Sequence, residues 1–364
     1  MEERILKKTA VFVLIISLTV CGTISYFPRL RTASEEFLTA VKEYQTKTKA
    51  EKLNMTGLEI MAYNNEQAEK ETGNRPSFPG QIRLQLPLGV SGSDLTVTED
   101  YVTRTVEIRI PYAGEDYFYE YPILGSGDHV QSLNYEFHKG YGIVQFITEQ
   151  VCELSSSYDG DYFYIDFLTP QKLYDKVIVI DAGHGGEDSG IKKQGICEKD
   201  INLDILLRLK ELFDASENKS IGVYYTRTTD CNPALKDRIE MADKANADLF
   251  LSIHNNSTKS GRMSSINGTQ VIYDAARAEK EPERKDLAQI CLEEVTAATG
   301  SSNKGLVAGS KDLLQENCKA PTAWIEVGFM TNQTELDLLR SKEYQNKAAQ
   351  GIYNAIMRAF EEGY

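Results

Sequence analysis

Val177-Ile178-Val179-Ile180-Asp181-Ala182-Gly183-His184-Gly185-Gly186 decides the fold. Four consecutive aliphatic residues read as a strand buried on both faces, as strands of parallel sheets are. The run ends in a glycine-rich loop that carries a histidine. The pattern recurs as Leu249-Phe250-Leu251 followed by Ser252-Ile253-His254-Asn255-Asn256. Ligand sites in open α/β sheets form at the carboxyl ends of the strands. The chain has only four histidines. Two of them at strand ends, with acidic residues nearby, suggest a metal centre and hence a hydrolase.

Around these strands the apolar spacing alternates between periods of 2 and 3.6. It predicts helices over 199–213, 234–245, 283–298 and 341–361, the first with Ile201, Ile205, Leu209 and Leu212 on one face. It predicts further strands over 221–227, 269–273 and 323–328. Alternation of this kind implies an α/β domain over 175–364, a mostly parallel sheet wrapped by helices.

Upstream, Gln81-Ile82-Arg83-Leu84-Gln85-Leu86 alternates apolar and polar, and so does the stretch 102–110. Val144-Gln145-Phe146-Ile147 and Tyr162-Phe163-Tyr164-Ile165-Asp166-Phe167 add strands between Gly, Asp and Ser turns. Residues 81–172 therefore read as a small all-β, sandwich-like domain. Its many tyrosines are good strand formers, and exposed ones could stack on sugar rings. Residues 31–80 are rich in Glu, Lys, Gln, Asn and Thr. Phe37, Val41 and Tyr44 at helical spacing suggest a helical stalk or linker, bounded by Pro76, Pro79 and Gly80. Arg4, Lys7 and Lys8 precede an apolar run over 10–27, near the length that spans a bilayer. The basic flank predicts an anchor (residues 1–30) with the rest of the chain outside the cytoplasm, although Arg29 and Arg31 pull the other way. A cleaved signal peptide, or lipidation at Leu18-Thr19-Val20-Cys21, is the alternative.

A chain of 364 residues calls for more than one domain. Its 40 basic and 54 acidic residues give a net charge of −14, which excludes nucleic-acid backbone binding as the main task. None of the six cysteines has C-x-x-C spacing, so no cysteine zinc knuckle is expected. They read as buried free thiols, with a disulfide, or Cys197 as a stray metal ligand, as alternatives.

A catalytic zinc takes three His or carboxylate ligands and keeps one position for water. His184, Glu198 and His254 would supply them, with Asp188, Asn255 and Asn256 as candidates for setting the imidazole tautomers. Glu326 sits in the otherwise apolar strand Trp324-Ile325-Glu326-Val327-Gly328-Phe329. A charge there is costly unless paired or working, and a carboxylate facing an activated water can take its proton and hand it to a leaving amine. The plainer alternatives are structural histidines and a Glu326 that points to solvent from an edge strand.

Four motifs occur in order: Val179-Ile180-Asp181-Ala182-Gly183-His184-Gly185-Gly186, Glu198-Lys199-Asp200-Ile201-Asn202-Leu203, Ser252-Ile253-His254-Asn255-Asn256 and Ile325-Glu326-Val327-Gly328-Phe329-Met330-Thr331-Asn332. Over residues 175–361 they resemble the zinc-dependent N-acetylmuramoyl-L-alanine amidases of the bacterial cell wall, the Amidase_3 type. Thr226-Arg227 and Asp237-Arg238 fit linking segments of that family. The resemblance implies one zinc ion on His184, Glu198 and His254, and Glu326 as the catalytic carboxylate. It implies peptidoglycan as substrate, cut between the lactyl group of N-acetylmuramic acid and L-alanine of the stem peptide. Ala182, Ser189 and Lys304-Gly305 depart from the family's pattern. The short stretch between His254 and Gly268 leaves no room for the plugging helix that some relatives carry. The β domain resembles, more loosely, the AMIN-type modules that direct such enzymes to the wall. The rival readings are a zinc peptidase acting on stem peptides and a non-catalytic wall-binding regulator. The sequence names no protein activator.

Overall fold

The computed structural model describes residues 54–309 and 318–364, together with Thr39. The expected anchor and the Phe37, Val41 and Tyr44 spacing lie outside the described residues. No described helix is long and apolar enough to cross a membrane.

The chain forms two compact units. The first begins, in the described region, with helix α1 (Gly57–Thr72). Thr56 and Glu59 close a reciprocal capping box at its start, which satisfies two backbone donors that a bare helix end would leave unpaired. Ile60 and Met61 are buried, and Asn64 donates to the Ile123 carbonyl at 3.0 Å. This part of the expected stalk is therefore built into the folded unit. Eight strands follow: β1 (Ile82–Gln85), β2 (Thr96–Asp100), β3 (Thr105–Pro111), β4 (Leu124–Gly125), β5 (Val130–His138), β6 (Tyr141–Thr148), β7 (Glu153–Asp159) and β8 (Tyr162–Leu168). They make two four-stranded sheets, ordered β4-β1-β8-β7 and β2-β3-β6-β5. Alternate residues turn inward, among them Ile82, Leu84, Val106, Ile108, Val144 and Phe163. Phe146 and Phe167 meet edge to face across the two sheets, with centroids 5.3 Å apart. The unit is thus β-rich rather than all-β, because α1 and a short helix at Tyr117–Glu120 are part of it.

The second unit holds residues 168–364 with Asp100–Arg104 and Glu149–Glu153. Its strands are β9 (Lys176–Ala182), the hairpin pair β10 (Lys192–Lys193) and β11 (Ile196–Cys197), β12 (Ile221–Tyr225), β13 (Leu249–Asn256), β14 (Thr269–Tyr273), β15 (Asn303–Ala308) and β16 (Thr322–Phe329). Its longer helices are α2 (Glu198–Ala215), α3 (Leu235–Lys244), α4 (Glu283–Thr299), α5 (Gln333–Leu339) and α6 (Lys342–Glu361). The six-stranded sheet runs β12-β9-β13-β16-β14-β15. Every pairing is parallel except β14 with β16. The reversal has a local cause: residues 257–268 between β13 and β14 form a loop with no helix, whereas a strand that returns in the same direction usually follows a helical crossover. The short strand β15 and helix α5 carry weak periodicity and escape a reading by pattern.

One face of the sheet packs its Ile178, Ile180, Leu251, Ile253, Ile325 and Val327 against Ile201, Ile205, Leu209, Ala348 and Ile352 of the helices. The other face packs Val177, Val179 and Phe250 on Ile239 and Met241 of α3. Burial on both faces is why β9 reads as an unbroken aliphatic run. Strands β9, β13 and β16 lie side by side and point the same way, so their carboxyl ends gather. Strand β16 is interior, bonded on both sides, so Glu326 does not occupy an edge strand.

Candidate metal centre

His184 lies just past β9, Glu198 opens α2, and His254 sits near the end of β13. One donor atom from each lies within 4.8 Å of the others. Glu198 is the hub. Its Oε2 is 3.2 Å from His184 Nε2, and its Oε1 is 3.0 Å from His254 Nδ1. Backbone amides of Ile191 and Asn255 donate to the two oxygens at 2.9 and 3.0 Å. Glu198 and His254 are buried, while the His184 side chain stays 24% exposed, so the cluster is reached from the His184 side.

The surrounding partners act on the three candidate ligands. Asp188 Oδ2 lies 2.8 Å from His184 Nδ1, which leaves Nε2 to face Glu198. Asn255 uses its backbone amide on Glu198, and its side chain donates to Asn202 at 2.8 Å. Asn202 in turn donates to the Gly183 carbonyl at 3.1 Å. Asn256 donates to Gln270 of β14 instead, so its side chain is tied to that strand rather than to the cluster. Cys197 precedes Glu198 but is not in the cluster; the five described cysteines are free thiols, and Cys231 is exposed.

Two glycines answer to the packing of His254 and Glu198. A Cβ on Gly183 would fall 2.0 Å from His254 Cε1, and one on Gly190 would fall 2.6 Å from Glu198 Oε2. Gly183→Ala should therefore push His254 off its place and weaken metal affinity at least about tenfold, the usual cost of disturbing a ligand's support. Zinc titration against a competing chelator checks this, and wild-type affinity in the variant would refute it.

The loop is held from beneath. His184 adopts a left-handed backbone, φ 62°, unusual for a residue with a side chain. Arg238 donates to the carbonyls of Ala182 and His184 at 2.8 and 2.9 Å, and Arg227 to those of Ala182 and Gly183 at 2.8 and 3.0 Å. Buried Asp181 accepts from Arg238, Thr226 and Ser252 at 2.7, 2.6 and 2.6 Å. This scaffold went unassigned in the sequence; its signal was a carboxylate, Asp181, at the end of an aliphatic strand.

Glu326 is the Cα partner of His254 across parallel strands. Its Oε1 accepts the Trp324 indole N–H at 3.2 Å, while Oε2 is enclosed with no hydrogen-bond partner. Burial, and then the Glu198 charge, push its carboxyl up to about 8. Burial works against ionised Glu198, yet the two imidazoles outweigh it and hold that carboxyl below the ordinary range. Burial likewise lowers His254; for His184 it is outweighed by Glu198 and Asp188, which raise it to about 9. The result is a carboxylate held ionised at neutral pH between two imidazoles, next to a carboxyl raised toward neutral pH.

This chain is 31% identical over 204 residues to the germination-specific N-acetylmuramoyl-L-alanine amidase of Bacillus subtilis, covering 52% of this chain and 82% of that protein. A sequence profile described as N-acetylmuramoyl-L-alanine amidase (Amidase_3) matches residues 178–358. The chain belongs to the N-acetylmuramoyl-L-alanine amidase family. It is a peptidoglycan hydrolase of the class that cuts the amide between N-acetylmuramic acid and L-alanine. The amidase LytC of B. subtilis is 34% identical over 179 residues, which span 49% of this chain but only 34% of LytC. A crystal structure of an N-acetylmuramoyl-L-alanine amidase from Clostridium difficile 630 aligns at 30% identity and TM-score 0.47, covering 52% of this chain and 98% of that one. The family match falls on the second unit; residues before 178 lie outside it.

Proposed function

We propose that the second unit is a zinc amidase in which His184, Glu198 and His254 hold one zinc ion and Glu326 moves the proton. The observation that carries this reading is the convergence of three donors within 4.8 Å beside a carboxyl oxygen that is enclosed and unpartnered. The donor set suits zinc, with two imidazoles and one carboxylate and no thiolate. Bound there, zinc would polarise the scissile carbonyl and acidify a water. Glu326 would take a proton from the attacking water as the water's oxygen bonds to the lactyl carbonyl carbon. It then gives the proton to the amide nitrogen as the carbon–nitrogen bond breaks. The products are a lactyl carboxylic acid on the glycan, which gives up its proton to solvent, and a stem peptide with a free L-alanine amine. Glu198, ionised throughout, keeps both imidazoles oriented, and Asp188 holds His184 in the matching tautomer.

The run at 10–27 would hold the enzyme at the membrane with both units outside the cytoplasm. The β-rich unit, with its exposed Tyr112 and Tyr158, would grip the wall. Retention of full-length Glu326→Gln protein on purified wall in the presence of chelator supports that second site. Release by chelator would place all binding in the catalytic cleft.

The deciding experiment incubates the full chain, zinc-loaded, with purified peptidoglycan and identifies the fragments by mass. Peptides beginning at L-alanine beside peptide-free glycan are expected, and chelation should stop their release until zinc is restored. Shortened peptides still on glycan would mean a peptidase. A folded, zinc-loaded protein that releases nothing would mean a binding role.

A further inference from the structure

We propose that Trp324 is a positioning residue of this site. Its ring sets the plane of His254, and its N–H engages one oxygen of Glu326 so that the other handles the proton. The proposal rests on the zinc and Glu326 reading above and assigns a role to a side chain that reading does not use.

Trp324 lies two residues before Glu326 on β16, and the two strand partners on β13 are Ser252 and His254. Residues two apart on a strand share a face, so the indole sits one step behind both the imidazole and the carboxyl. Two contacts result. The indole and His254 rings are stacked, with centroids 3.7 Å apart and planes 15° from parallel. The indole N–H donates to Glu326 Oε1 at 3.2 Å. An indole nitrogen only donates, so it can bond the carboxylate but cannot compete for its proton. The contact thereby distinguishes two oxygens that chemistry alone leaves equivalent: Oε1 is engaged, and Oε2 is the enclosed, unpartnered atom. An aliphatic residue would fill the same space and provide neither the flat surface nor the donor. One rigid side chain with two χ angles thus couples a metal ligand to the proton carrier.

The chain contains a single tryptophan, so its emission reports this contact alone. Titrating zinc into chelator-stripped full-length protein should change the emission in a saturable way that ends at one equivalent. Trp324→Phe keeps a ring for His254 and loses the N–H. It should keep zinc affinity and KM and lose about tenfold in kcat, less than the roughly hundredfold or more that removing the acid–base group itself costs. Trp324→Leu loses both contacts and should also bind zinc about tenfold more weakly, as ligands deprived of their outer support do. Full kcat in Trp324→Phe would overturn the Glu326 half of the proposal. Undiminished zinc affinity in Trp324→Leu would overturn the His254 half. If neither variant folds, the wild-type titration still decides, since zinc binding without an emission change would sink the stack. Failure of the underlying reading looks different: His254→Ala would then retain zinc, or Glu326→Gln would retain turnover.

Discussion

Glu326→Gln is expected to lower kcat by about a hundred- to ten-thousandfold, the range that a positioned acid–base group contributes. The amide has the size of the carboxyl and still offers an oxygen to the Trp324 indole, so the fold and the local contacts survive. It cannot carry a proton between water and the departing nitrogen. Because Glu326 lies outside the three-donor cluster, zinc content should stay at one ion per chain. Release of stem peptide from peptidoglycan, measured beside metal analysis of the same sample, tests both halves. Full turnover would remove Glu326 from the mechanism. Loss of zinc would make it a ligand instead. His254→Ala is the converse case and should lose metal and activity together, since nothing else in the cluster replaces its nitrogen.

The parts of this architecture that were legible in the sequence are those written in short-range pattern. An unbroken aliphatic run such as β9 announces a strand buried on both faces, and Ile201, Ile205 and Leu209 announce the inner face of α2. Three site residues stood out because each breaks such a pattern at a strand end or helix start, and the structure brings His184, Glu198 and His254 into one cluster. What pattern does not carry is pairing between distant segments. The reversed direction of β14 and β15 follows from a connection that lacks a helix, and no period in the sequence records it. Helix α1 falls in the stretch read as a helical stalk or linker, and its packing was hidden because its buried face is narrow, with only Gly57, Ile60, Met61 and Asn64 turned inward. Gly183 and Gly190 make way for His254 and Glu198, a long-range requirement that a glycine-rich loop in the sequence does not spell out. Trp324 passed as an ordinary apolar residue until its two partners were seen.

Removing Arg238 should cost the second unit more stability than an ordinary surface change, about 3–5 kcal/mol, as breaking one side of a buried ion pair does. Arg238→Met keeps much of the volume and deletes the charge. Asp181 is then left ionised and enclosed with two hydroxyls for company. The His184 carbonyl loses its Arg238 donor and the Ala182 carbonyl keeps only that of Arg227, so the strained His184 loop should loosen and zinc should bind more weakly. The sign of the pH dependence separates this account from simple loss of packing. In the wild-type protein burial resists ionisation of Asp181, but Arg238 and the hydroxyls outweigh it and hold the carboxyl below its usual range. That stabilisation is present above the ordinary Asp value of about 3.9 and disappears only as pH falls through the lower folded value. Without Arg238 burial dominates and the carboxyl rises above its unfolded value. The penalty is then largest at neutral pH and eases as acid neutralises the group. The stability gap between the two proteins should therefore narrow between pH 7.5 and 4.5. Denaturant unfolding followed by Trp324 emission reads the second unit alone, because that unit holds the chain's single tryptophan. A gap that stays constant with pH would mean that Arg238 serves as packing and that its charge does not hold Asp181.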